Sequence, residues 1–487
     1  MARRIRHMRR KLHHPAMTQL EITKDGTTEV LTNPDDIAQA CIQANVEKFS
    51  QIHNLIPLSP QSLAGIGWYG EGPWSQHILN GRWEQEHPNK EFTTFLRAME
   101  MPKAVQKLGT IGPALSPEEN AEAWKRQSEY TSSDPFSPHM GHFKASLTDP
   151  TLNQVDALFR SLPAQHGFSP KLWQQITDVQ ILKKDGDYNV SKMRSIQLFH
   201  SEYNMNNKKL GREVMEQAEK AGTLAEEQNG SQKGRTPNMT VVNKHLTIDL
   251  VHMQHRAAAI GSTDCNSCFD RVSHNISYLS TVRNGASPTA VKSMFRTLQA
   301  AHHRVRTAFG VSDNGYGPTK KTLQGLGQGN GFALAGWAMI SSAIIAELKK
   351  TGFGLDVLLV ITKEHMAFSC YAFVDDADLI HAAQNTTIMG EEIVEQMQKG
   401  VDTWEQNCAF TGGSIRPEKC YWYLIDYEWD GHHWKYRPKA TMLREISVKN
   451  HNQERHTIKR LETSQAIETL GIYLAIDGNT KPQVNAL

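Results

Sequence analysis

The sequence predicts an α+β protein, and three observations carry that expectation. Short apolar runs at 179–182 and 193–198, and again at 421–427 and 433–437, flank Asp185-Gly186 and Asp430-Gly431, dipeptides suited to tight hairpins. The segments between such runs repeat apolar residues at helical rather than alternating spacing. Two further strand-like runs, 367–373 and 379–382, leave Asp375 and Asp376 together at their turn.

From the N-terminal end, Ile37, Ala40, Cys41, Ala44 and Phe49 mark a helix over 33–49, with Asn33 or Asp35 as its cap. Residues 65–83 are rich in Gly and Trp without periodicity and read as an ordered loop. Ser116-Pro117-Glu118-Glu119 opens a helix over 115–129 with a capping hydroxyl, a first-turn proline and acids facing the dipole. An amphipathic helix is expected over 208–227, a buried strand over 255–263, a helix over 288–304 and a core helix over 332–349. The last carries two serines and meets Glu347 well short of the roughly 20 apolar residues that span a bilayer, so no membrane partner is expected. Met389, Ile393, Met397, Val401 and Trp404 form the core stripe of one more helix.

With 487 residues the chain has room for about three domains, or two with elaborations. Its 39% hydrophobic and 21% charged residues are an ordinary globular composition. Six scattered cysteines, Cys41, Cys265, Cys268, Cys370, Cys408 and Cys420, make no disulfide framework and favour a reducing intracellular setting, nucleus or cytoplasm. Cys265 and Cys268 have Cys-x-x-Cys spacing but lack the second pair of a zinc site. His302-His303 and His432-His433 read as surface residues rather than ligands.

A formal net charge of +2 hides its distribution. Residues 1–14 are basic without a following apolar run, so a secretory leader is not expected; they suit either a nucleic-acid arm or a solvated tail. Between 283 and 321, Arg283, Lys292, Arg296, Arg304, Arg306, Lys320 and Lys321 stand against Asp313 alone, and 435–460 is basic too. Such runs suit phosphate neutralisation.

Two carboxylates held at one turn repel each other unless a cation sits between them. Mg²⁺ suits hard oxygen ligands and takes one or two carboxylates plus substrate phosphates. Taken alone, Asp375-Asp376 is a weak signal and reads more simply as a polar turn. Asp264 changes the reading, because it closes the strand-like run 257–263 and lets acids from separate segments meet, as two-metal phosphoryl transfer requires.

These residues also carry a resemblance. Asp264-Cys265-Asn266-Ser267-Cys268-Phe269-Asp270-Arg271-Val272 resembles motif A of reverse transcriptases, Gly327-Gln328-Gly329 is similar to motif B, and Phe373-Val374-Asp375-Asp376 resembles motif C. Downstream, 412–420 resembles motif D and 470–474 the primer grip. Upstream, 193–198 is similar to the Arg-x-Ile-x-Leu of the fingers, and 227–235 resembles a segment of LINE-type, non-LTR retrotransposon polymerases.

The resemblance implies a polymerase right-hand fold. It divides the chain into a basic tail at 1–14, a mostly helical extension at 15–130, fingers at 131–255, and a palm at 256–450 with a fingers-side segment near 280–325. A primer-grip region and the start of a truncated thumb would occupy 451–487. It implies an RNA-directed DNA polymerase of a retrotransposon-like element, which takes an RNA template, a DNA primer and dNTPs. Two Mg²⁺ ions, with Mn²⁺ as a substitute, would support phosphoryl transfer to the primer 3′-OH.

Residue by residue, the resemblance makes Asp264, Asp375 and Asp376 the metal ligands and Lys419 the acid that protonates pyrophosphate. Arg194, with Lys183 or Lys184, would hold the triphosphate. Phe269 would be the steric gate against a ribose 2′-hydroxyl, Gln328 would line nucleotide and template, and Gly329 with its neighbours would let backbone approach the base pair. On their own, Lys183 and Lys184 also suit a solvated turn, and Phe269 a core ring. Where the family has a proline after Gln-Gly, this chain has Asn330-Gly331. An RNA-directed RNA polymerase and a decayed retroelement fragment that only binds nucleic acid are the alternatives.

Overall fold

The computed structural model describes residues 17–24, 26–50, 56–318, 323–358 and 362–486. The basic tail at 1–14, Lys320 and Lys321 lie outside the described residues. The chain divides into two compact units: Met1–Ile52, Gly112–Gly211 and Ser287–Ala333 form the first, and His53–Ile111, Arg212–Ala286 and Leu334–Leu487 the second. Each mixes helices with small sheets, as the α+β expectation requires.

In the first unit, Gln175–Leu182 pairs antiparallel with Met193–Leu198 and parallel with His302–Thr307, which pairs in turn with Gly310–Tyr316. The expected hairpin is present in the register Leu182↔Met193. Its connection, however, runs from 183 to 192 through a 3-10 turn at Val190–Lys192 and does not close tightly on Asp185-Gly186. The helix expected to reach 304 is Pro288–Ala300, and a strand follows it. Alternating exposure from His302 to Arg306 is the two-residue period of a strand. His303 is accordingly buried rather than superficial, with Nδ1 3.2 Å from Asp178 and its ring stacked 4.7 Å from Tyr316.

Helix Pro34–Ser50 begins where Asn33 Oδ1 accepts the Asp35 N–H at 2.9 Å. It lays Ile37, Cys41 and Ile42 against Leu182, Met193 and Val305. Helix Pro117–Arg126 opens with a complete capping box between Ser116 and Glu119.

The second unit is organised on a five-stranded sheet in the order Cys370–Phe373, Asp376–Ala382, Ala258–Asp264, Tyr421–Ile425, Lys459–Leu461, antiparallel except at the last junction. Its two faces are covered differently. Ala258, Ile260, Ile380, Ala382 and Tyr423 meet Ile248 and Val251 of helix Pro237–Met253. Gly261, on the opposite face, lies against Met397 of helix Gly390–Phe410. Ile393, Met397, Val401 and Trp404 are buried as their spacing requires, while Met389 at the N-cap is exposed.

Three expectations need correction here. Residues 421–437 are not one hairpin: Tyr421–Ile425 belongs to the sheet, and only Tyr427–Trp429 pairs with Trp434–Tyr436. The segment 65–83 contains a helix, Pro73–Leu79, started by Gly72 and Pro73; Trp74 lies so close over Gly65 that a Cβ there would come within 2.1 Å of the ring. The helix expected over 208–227 spans Ser201–Ala221 and ends at Gly222, whose φ of 64° suits a helix terminus. All six cysteines are free and buried, and among the described residues no helix is long and apolar enough to cross a membrane.

Candidate active site

Three local features of the second unit gather its acids. The strand Ala258–Asp264 ends at Asp264, whose partner on the next strand is Asp376. The hairpin formed by Cys370–Phe373 and Asp376–Ala382 turns at Val374 and Asp375, and Asp375 and Asp376 are exposed at its tip. Val374 has a φ of 58°, a left-handed conformation that β-branched residues resist.

The third feature is the loop after helix Gly390–Phe410, which folds back onto the end of the central strand. Cys265 bridges to Ile415, the Asn266 N–H donates to Ser414 O at 2.8 Å, and the Arg416 N–H donates to Asp264 O at 2.9 Å. The Arg416 guanidinium donates to Asn266 Oδ1 at 2.7 Å. These bonds set the turn Pro417–Lys419 beside the acids, and Lys419 Nζ donates to Asp264 Oδ2 at 3.0 Å. Asn266 and Arg416 are positioning groups that neither residue type nor spacing marks in the sequence.

The carboxyl of Asp376 is pushed up to about 6, first by partial desolvation and then by the charges of Asp375, Asp264 and Asp378; Lys419 acts in the opposite direction. Asp378 lies buried two residues further along the same face. It forms an ion pair of 2.7 Å with Lys244, which is also buried. Burial pulls Lys244 down, but Asp378 and Tyr421 outweigh it and the net shift is upward, so the ammonium keeps its charge. Burial and then Asp375 raise the Cys268 thiol, leaving it neutral. The half-buried ring of Phe269 lies 6.4 Å from Trp337, whose Nε1 donates to Val374 O at 2.6 Å.

This donor set suits a divalent cation. Hard carboxylate oxygens come from two strands and the turn between Phe373 and Asp376, and the carboxyl of Asp376 is raised in part by its own like-charged neighbours, the repulsion that a cation relieves. Asp264, Asp375 and Asp376 are the residues that would hold it. Among the described residues, no group of three or more His, Cys, Asp or Glu is drawn tightly enough together to coordinate an ion as the side chains stand.

The other site residues expected from the sequence belong to the first unit. Lys183 and Lys184 are exposed at the start of the 183–192 connection, where Lys192, 2.9 Å away, holds Asp187 below the usual carboxylate range. Arg194 is exposed on Met193–Leu198, opposite Ile181. The Gln328 carbonyl accepts the Gln197 N–H at 2.6 Å, which lays the Gln-Gly segment along the same strand. Gly329 has a φ of 115°, and a Cβ there would stand 2.3 Å from Gln197 O; the close approach it permits is to this strand. Asn330 Oδ1 accepts the Phe332 N–H at 3.1 Å and a hydrogen bond from Asn207 Nδ2 at 2.8 Å, at the start of helix Ala333–Lys350.

The structure thus brings Asp264, Asp375, Asp376, Lys419 and Phe269 into one neighbourhood of the second unit. It sets Arg194, Gln328 and Gly329 along one strand of the first. The basic run 435–460 is revised, because Arg437, Lys449 and Arg455 pair with Asp426, Glu405 and Asp402, while Arg460 is buried 5.1 Å over the Trp422 ring. That run is largely neutralised within its own unit. No family model matches the chain, and no curated protein matches it.

Proposed function

We propose that the chain is an RNA-directed DNA polymerase of the LINE-type, non-LTR retrotransposon kind, on a right-hand fold with fingers over 131–255 and a palm over 256–450. The observation that supports it best is the cross-strand pair Asp264 and Asp376, with Asp375 at the adjoining turn and Lys419 bonded to Asp264. Opposed like charges weaken a sheet. An end of a sheet that keeps them suits chemistry in which anionic substrate and cation complete the site.

Mg²⁺ held by these carboxylates would lower the pKa of a primer 3′-hydroxyl and neutralise a leaving pyrophosphate. The chain's own groups divide the remaining work. Asp264 and Asp376 supply ligand oxygens from two strands, and Asp375 from the adjoining turn. Lys419, bonded to Asp264 beside the acids, is placed to give a proton to the departing phosphate oxygen. Phe269 crowds the sugar's 2′ position.

The test is nucleotide incorporation on an oligo(dT) primer annealed to poly(rA) with Mg²⁺. Extension with dTTP and little with UTP is expected. A preference for UTP would move the reading to an RNA-directed RNA polymerase, and duplex binding without extension to a non-catalytic nucleic-acid binder.

A further inference from the structure

Val374 immediately precedes Asp375, and its left-handed backbone is strained for a β-branched residue. Strain of that kind persists only where the surroundings enforce it. Here the enforcement comes from Gln228, a residue remote in sequence. Its Oε1 accepts the Val374 N–H at 2.9 Å and the Gly230 N–H at 2.9 Å. Its Nε2 donates to Val374 O at 3.0 Å and to Ser341 Oγ at 3.0 Å.

One primary amide therefore holds both backbone polar groups of a single residue, and Trp337 Nε1 adds a second donor to the same carbonyl. Gln228 is 1% exposed, so water does not compete for these bonds. The segment carrying it is anchored like an extra strand, with the Asn229 N–H donating to Ala372 O at 2.8 Å and the Ala372 N–H to Glu227 O at 3.0 Å. Gly230 permits the approach, since a Cβ there would stand 2.3 Å from Val374 N.

We infer that Gln228 is a positioning residue for the carboxylate turn: with Trp337 it clamps the Val374 peptide in the left-handed conformation that aims Asp375 and Asp376. The inference rests on the polymerase reading for the meaning of those carboxylates. Released from the clamp, Val374 relaxes toward negative φ and swings the following peptide. The consequence falls on the reacting geometry rather than on nucleotide affinity. Glycine adopts this φ without strain, so a chain with glycine at 374 depends less on the clamp.

The experiment compares the full chain with Q228L, V374G and Q228L/V374G on poly(rA)·oligo(dT) with Mg²⁺ and dTTP. Q228L is expected to lower kcat about 10- to 100-fold, the scale of a small misplacement of reacting groups. The KM for dTTP should move less than about threefold. In the V374G background the same substitution should lower kcat by less than about threefold. Equal losses in both backgrounds, or a loss confined to KM, would overturn the inference.

Mn²⁺ binding to the protein alone, read from the free-ion electron paramagnetic resonance signal, separates this inference from the polymerase reading. Weaker Mn²⁺ binding by Q228L, restored in Q228L/V374G, supports the clamp even if the wild type extends no primer, in which case only the polymerase reading falls. Equal binding by wild type and Q228L overturns the clamp. Should Q228L fail to fold, W337F removes one donor to Val374 O while keeping an aromatic ring. It is expected to lower kcat and Mn²⁺ affinity in the Val374 background and not in V374G, and the opposite result counts against the clamp.

Discussion

Asp264 and Asp376 face each other across two antiparallel strands, and one step inward on the same face Ser262 faces Asp378. The acids on this face are treated differently. In the outer pair Asp376 is exposed and Asp264 half-buried with Lys419 bonded to it, whereas Asp378 is buried and paired with Lys244. The inner pair serves the stability of the sheet, and the outer acids are left available for chemistry.

Removing Lys244 should expose that division. Lys244→Met leaves the Asp378 carboxyl buried without its ion-pair partner, and is expected to destabilise the fold by about 3–5 kcal/mol. Urea denaturation reads the change as a lowered midpoint. Lys244→Met with Asp378→Leu should recover most of the loss, since an apolar pair replaces the stranded carboxyl. An unchanged midpoint in Lys244→Met would contradict the pairing.

Lys419 is expected to act in the chemical step. Lys419→Ala should lower the single-nucleotide extension rate by about 10²-fold, the usual scale for a positioned general acid. Lys419→Arg keeps the charge but gives up its proton far less readily, so it should bind dTTP normally and still extend slowly. Full activity in Lys419→Ala would remove the proton-donor role.

Phe269 is expected to set sugar selectivity. Phe269→Val opens the space beside the 2′ position and should raise the UTP-to-dTTP incorporation ratio by about tenfold or more. Competition between the two nucleotides on one primer measures this directly. An unchanged ratio would return Phe269 to the role of a packing residue against Trp337.

Two histidines give stability a pH dependence. Burial, with no hydrogen bond to either ring nitrogen among the described residues, holds His200 at about 4. Glu202, 3.6 Å away, is itself pushed up by burial. Burial also brings His381 to about 4; its Nδ1 accepts the Gly354 N–H at 3.1 Å. An unfolded histidine titrates near 6.5, so between about 4 and 6.5 the unfolded chain binds more protons, and stability falls as pH drops through that window. His381→Phe should flatten the dependence of Tm on pH there, and an undiminished slope in both His200→Phe and His381→Phe would assign the effect to other groups.

The carboxylate turn is legible in the sequence because two apolar runs bracket Asp375 and Asp376, and Asp264 closes a third. The alternation of His302–Thr307 is not, because amphipathic spacing begun at Pro288 continues through Arg304; parallel pairing with Gln175–Leu182 decides it. The bonds from Lys244 to Asp378 and from Arg416 to Asn266 join residues 134 and 150 positions apart, and local spacing carries no trace of them. The basic character of 435–460 is plain in the sequence, but its partners are not. Asp402 and Glu405 reach that run from the helix Gly390–Phe410.

Whether Asp264, Asp375 and Asp376 work as one Mg²⁺ site for DNA synthesis on RNA is tested most directly by single dTTP addition to oligo(dT)·poly(rA) across a Mg²⁺ titration. Wild type, Asp264→Asn and Asp375→Asn are compared at equal duplex binding. Saturable, Mg²⁺-dependent extension is expected in the wild type, with a loss of at least about 10²–10³-fold in each variant. Wild-type extension no faster than that of Asp375→Asn at every Mg²⁺ concentration would contradict it.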